Sequence, residues 1–113
     1  MSWFRIGAAL CFLAVILGAF GAHALQETLE ANHSRPTWNT AALYQFLHGL
    51  ALMVLSLHNA NRVVPYLFLA GILLFSGSLY VLATTQASWL GPVTPLGGLC
   101  FLAGWAWLFF ASR

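Results

Sequence analysis

The stretch WNTAALYQFLHGLAL, residues 38 to 52, sets a histidine in the middle of an apolar run, with Tyr44 and Gln45 four and three residues before it. Residues so spaced share one face of a helix, so Tyr44, Gln45 and His48 form a polar stripe, and Gly49 beside them admits a close neighbour. A second stretch, LFSGSLY at 74 to 80, puts Ser76 and Tyr80 on one face in the same way. If the two segments run antiparallel, Ser76 is level with His48 and Tyr80 with Tyr44. Ser78 points elsewhere, with a carbonyl of its own helix as its expected acceptor. The chemistry open to such a set is hydrogen bonding in a dry interior or, if water reaches His48, proton exchange.

Other groups fit known chemistries poorly. At about 1.5 Å per residue, His23 lies roughly 3 Å from the end of its apolar run and His48 roughly 13 Å inside the next, so a haem bridged by both is not expected. The same count separates Cys11 and Cys100 in depth by more than the roughly 7 Å that a disulfide allows, and both read as small packing residues. A metal site using His33 in the intervening connection is a minor alternative; no metal and no cofactor are expected. The only acids, Glu27 and Glu30, sit in a connection, and no nucleophile is paired with a base, so an enzyme is not expected.

These side chains must be positioned by membrane helices. The chain has 113 residues, 61% hydrophobic and 5% charged, against roughly 25% charged in ordinary soluble domains. Four apolar runs, about 3–25, 39–58, 64–84 and 95–111, each approach the ~20 residues that cross a bilayer. This predicts an all-α integral membrane four-helix bundle, a single domain running up-down-up-down. Pro65 and Pro95 fall in the first turns of the third and fourth runs, and Thr94 is placed to cap the fourth. Between runs one and two, Leu25 and Leu29 oppose Glu27 and Glu30, predicting a short interfacial amphipathic segment within 26–37.

The first run also admits a signal-peptide reading, with Arg5 ahead of an apolar core and Ala22-His23-Ala24 as a small-x-small site. Its apolar part exceeds the usual ~7 to 15 residues, so an uncleaved first helix is expected. Arg5, Arg62 and Arg113 share one side while Arg35 lies on the other with both glutamates, which predicts cytoplasmic termini in a bacterial inner membrane. Trp3 and Trp107 suit the inner aromatic belt and Trp38 and Trp89 the outer; Trp105 is too deep for either. The formal charge of +2 is too sparse for a nucleic-acid partner.

Unsatisfied polar groups in hydrocarbon cost several kcal/mol, so the stripe must face inward. Two readings follow. In one, the polar set holds a structural or assembly protein together. In the other, it lines a cleft open to the outer side that binds or passes a lipid or small molecule, with His48 as the proton-exchanging group. The candidate cleft set is His23, Tyr44, Gln45, His48, Ser76, Tyr80 and Thr94; His23 also fits a plain helix end. Ala14, Gly18 and Ala22, spaced by four, form a small-residue ridge. With Gly49, Gly77, Gly97 and Gly104 they are the expected helix-packing positions, serving this bundle, a second copy or another membrane protein, besides surrounding lipid.

LGAFGAHAL at 17 to 25, the 38 to 52 stretch, LLFSGSLYVLA at 73 to 83 and VTPLGGLCFLAGWA at 93 to 106 together resemble the YgdD and transmembrane protein 256 family of small membrane proteins. The resemblance covers nearly the whole chain in order. It implies a four-helix inner-membrane protein from a domain family of unknown function. Gly18, Gly21, His23, Thr40, Tyr44, Gln45, His48, Ser76, Gly77, Ser78, Tyr80, Thr94, Pro95, Gly97 and Gly98 occupy the family's motif positions, and no chemistry is established for them there.

Overall fold

The structure, a computed structural model, describes residues 2–58 and 62–111. Arg113, which contributed to the expected orientation, and residues 59–61 of the second connection lie outside the described residues. Six α-helices follow in order: α1 (Trp3–Ala22), α2 (Gln26–Ala31), α3 (Arg35–Leu57), α4 (Val63–Gly71), α5 (Gly77–Thr85) and α6 (Val93–Ala111). A π turn, Ile72–Ser76, joins α4 to α5 into one span, and a short 3-10 turn, Ser88–Leu90, precedes α6. Four of the resulting helical stretches are long and apolar enough to cross a membrane.

The helix limits have local causes. α1 stops at Ala22 and not at Leu25: His23 caps it through its backbone N–H, and the N–H of Leu25 turns back to Phe20 O at 2.9 Å. α2 then buries Leu29 and exposes Glu27 and Glu30, as its spacing predicts. The interfacial segment is shorter than expected because α3 starts at Arg35, four residues early. Pro36 begins this helix instead of blocking it, since proline in the first turn has a suitable φ and no N–H to leave unpaired. α6 likewise starts at Val93, which puts Thr94 inside the helix and not at its cap.

The spans run antiparallel. α1 lies along α3, while α4 and the π turn lie along α6. Gly7 sits against Gly49 and Met53 at one end of the α1–α3 pair, and Gly21 against Trp38 at the other. Leu52, Val64, Phe68, Ile72 and Phe101 form the main apolar core. Outside it, Phe12, Val15, Leu57, Leu73, Leu99, Leu102, Phe109 and other large apolar side chains are exposed along the spans. A surface of that kind is stable only when lipid covers it.

Close helix approach uses partly different small residues from those expected. On α1 the buried ones are Gly7, Ala14 and Gly21, seven apart, which keeps one narrow face toward α3. Ala14 therefore packs as expected, but Ala22 is exposed and Gly18 has no neighbour within 4 Å of where a Cβ would stand. Gly77 is equally open, so among the described residues nothing packs where a Cβ on Gly18 or Gly77 would stand. Gly49, Gly97 and Gly104 do pack against another span. A Cβ on Gly97 would collide with the backbone of Phe75, which lies in the π turn against α6.

Candidate functional site

The polar side chains of the spans converge, in an arrangement that depth counting anticipates only in part. Gln45, almost fully buried, donates through Nε2 to Leu10 O of α1 at 2.8 Å and accepts through Oε1 from the Tyr80 hydroxyl at 2.7 Å. It thereby bonds α3 to the spans on both sides. Tyr80 is one turn nearer the 86–92 connection than Ser76. Its phenol still reaches Gln45 because side chains lean toward the N-terminus of their own helix, here toward the bundle centre.

His48 is buried at 4% exposure, and its partner is not Ser76. Its Nε2 accepts from the indole N–H of Trp105 at 3.0 Å, and its Nδ1 lies 2.9 Å from Tyr44 O, four residues back on α3. One tautomer completes both contacts: neutral imidazole with its hydrogen on Nδ1. The ring stacks on Phe101 at 3.7 Å and meets Phe68 edge-on at 5.1 Å. Trp105, too deep for an interfacial belt, is thus explained: its ring is half exposed on the outside of the bundle while its N–H turns inward to His48. A tryptophan N–H at that depth needs an acceptor, and this was the sequence signal that could have paired the two.

The remaining members separate. Ser76 is wholly buried and donates to Ala41 O at 2.8 Å, tying the end of the π turn to α3. Tyr44 shares the helix face with Gln45 and His48 but is 38% exposed, its ring against Phe75 at 4.9 Å. It is a rim residue and not part of the buried network. Ser78 does bond back to its own helix, to Phe75 O at 3.0 Å, but it also shares a 2.6 Å hydrogen bond with Thr94. That pair links α5 to α6 and replaces the capping role expected of Thr94. His23 is exposed at the C-cap of α1, apart from these contacts.

A second polar network at the same end escaped sequence reasoning. Ser34 and Asn32 donate to Ala83 O at 2.6 and 3.1 Å, and Asn32 also reaches Thr84 O at 3.3 Å. These carbonyls end α5 and have no N–H ahead of them, so the turn before α3 caps another helix across space. Gln86 and His33, both with positive φ, shape the two facing turns, and Gln86 Nε2 reaches Asn32 O at 3.3 Å. Trp38, expected in the outer belt, is buried instead: its N–H donates to Leu17 O at 2.7 Å and its ring meets Tyr80 at 4.7 Å. Trp89 does stand exposed near this end.

Among the described residues no buried side-chain nitrogen or oxygen lacks a hydrogen-bond partner. The cysteines are free, and Cys11 donates weakly to Phe46 O at 3.6 Å. No group of three or more histidine, cysteine or acidic side chains gathers as a metal cluster among the described residues.

Fold and network define a small four-span membrane protein whose spans are fastened by interior hydrogen bonds. The chain belongs to the family described as "Protein of unknown function (DUF423)", which matches residues 17–98. It is 41% identical over 112 residues to UPF0382 membrane protein SAB0533 of Staphylococcus aureus, covering 95% of this chain and 91% of that one. It is 41% identical to UPF0382 membrane protein YwdK of Bacillus subtilis, covering 95% and 92%. Against UPF0382 membrane protein C1782.12c of Schizosaccharomyces pombe the identity is 39%, covering 94% and 97%. No solved structure matches.

Proposed function

We propose that this is a structural or assembly protein of the cytoplasmic membrane, with its intramembrane polar network holding the bundle and its small-residue surface docking a partner. The observation that carries the reading is the completeness of the network. Each buried polar side chain of the described residues is already bonded within the chain, mostly to backbone of another span. A site awaiting a ligand would leave donors or acceptors unspent. The alternative of a proton-exchanging cleft finds less support, because both nitrogens of His48 are engaged and a protonated ring would set N–H against the N–H of Trp105.

Docking is supported by α1, where Gly18 is open and Ala22 exposed, leaving a small face available to a second copy or another membrane protein. The distribution of Arg5 and Arg62 against Arg35, Glu27 and Glu30 supports cytoplasmic termini. No catalytic step belongs to this reading: Glu27 and Glu30 are exposed on α2, and Glu30 pairs with Arg35 at 3.5 Å.

The test is His48→Phe in the full chain, followed by unfolding in detergent and by mass spectrometry of small molecules that co-purify. Loss of stability with no small molecule released supports the proposal. A variant as stable as the parent that has lost a bound small molecule sinks it.

A further inference from the structure

Two cavities at the end of the bundle that carries the 23–34 and 86–92 connections share one residue, Thr37. The first, about 280 Å³, is polar and is lined by His33, Ser34, Thr37 and Ser88 among others. The second, about 300 Å³, continues from Thr37 past Thr40 to an apolar wall of Pro36, Phe75 and Leu79. We propose that together they hold one glycerophospholipid, its headgroup in the polar cavity and one acyl chain along the apolar wall.

Polarity, depth and spare hydrogen-bonding capacity support this occupant. The polar cavity lies at the end of the third span, beside Gln86, and the apolar one reaches down to Phe75. The apolar cavity is also lined by the first turns of α3 and α6, from Pro36 to Thr40 and at Thr94, a stretch of about 6 Å at about 1.5 Å per residue. The groove therefore runs from the end of the spans, where headgroups lie, into the upper acyl region of one leaflet. Thr37 and Thr40 are one turn apart on α3, both partly buried, and neither hydroxyl has a protein partner among the described residues. Thr37 stands where the two cavities meet and Thr40 one turn further along the apolar one, so both hydroxyls can donate to the ester carbonyls of a lipid so placed. The larger groove between α1 and α3, about 450 Å³, is lined by Phe12, Phe46, Leu50 and other apolar or sulfur side chains and has no polar end. It lacks the graded lining that would orient a lipid.

The test uses the purified full chain in detergent, mixed with palmitoyl-oleoyl phosphatidylglycerol and observed by native mass spectrometry. One lipid is retained per chain, and Thr37→Trp, which fills the junction of the cavities, lowers retention about tenfold. Leu50→Trp in the α1–α3 groove leaves retention unchanged, and free glycerol phosphate does not displace the lipid. Equal retention by the parent and Thr37→Trp overturns the proposal, as does displacement by glycerol phosphate. Should Thr37→Trp fail to fold, the parent is photolabelled with a lipid carrying a diazirine on its acyl chain. Adducts concentrated at Thr40, Phe75 and Leu79 support the site, and adducts spread evenly over the apolar surface overturn it.

Discussion

The indole N–H of Trp105 points at the Nε2 of His48 across 3.0 Å, joining the second and fourth spans through a single neutral hydrogen bond. Interhelical bonds of this kind in membranes contribute about 0.6 kcal/mol on average and about 1.7 at most, because an unfolded span also finds partners. Trp105→Phe is expected to destabilise the bundle within that range, and His48→Phe by more, since it also removes the contact to Tyr44 O. A double-mutant cycle read by unfolding in detergent checks this, with a coupling energy of about 0.5 kcal/mol or more expected.

Gln45 is the more exacting partner, because one amide serves two spans. Tyr80→Phe leaves its Oε1 without a donor, whereas Gln45→Leu removes the added bond to Leu10 O and leaves the Tyr80 hydroxyl without its acceptor. The second change should cost roughly twice the first, on the scale of about 1 kcal/mol per bond. Adding Tyr80→Phe to Gln45→Leu should recover part of the loss, which unfolding in detergent would register.

The small residues divide into two groups with opposite expected responses. A Cβ at Gly97 meets the backbone of Phe75, and one at Gly7 the carbonyl of Gly49; neither neighbour can rotate away. Gly97→Ala and Gly7→Ala should each cost about 1–3 kcal/mol from overpacking. Gly18→Ala and Gly77→Ala enter open space and should lie within about 0.5 kcal/mol of the parent in the isolated chain. Thermal unfolding of the four variants in one detergent separates the groups.

Much of this architecture was legible in the amino acids. Hydropathy alone yields four spans, and the i, i+4 spacing of Leu25 and Leu29 yields α2. Gln45 and Tyr80 fall in one candidate set because lipid obliges buried polar groups to meet, but counting set Tyr80 level with Tyr44 and did not pair it with Gln45. Partners were lost where one added residue changes the phase of a helix. The π turn at Ile72–Ser76 has no compositional mark, yet it directs Ser76 to Ala41 O and Ser78 to Thr94. Trp38 was misplaced because a tryptophan near a span end reads as an interfacial anchor until Gly21 is seen to make room for its ring. Ser34 and Asn32 were passed over because their acceptors are carbonyls some fifty residues away.

That added residue permits a further test. A π turn behaves as a one-residue insertion in an α-helix, so removing one residue inside it restores the regular pitch and keeps α4 and α5 in phase. Deleting Leu73, which is exposed, should therefore give a folded protein with modest loss. Deleting Leu69 from α4 should turn everything before it by about 100° and abolish folding. Circular dichroism and monodispersity in detergent distinguish the two deletions.

Leu10, Leu17, Ala41, Ala83 and Thr84 all receive their hydrogen bonds on main-chain oxygen. No substitution erases an acceptor that every residue type carries, whereas a donor disappears with one codon. Mutational tolerance should accordingly be lopsided: α1 can drift in side-chain identity wherever it stays slender enough to approach its neighbour, while Asn32, Ser34, Trp38, Gln45 and Ser76 carry the instructions for assembly.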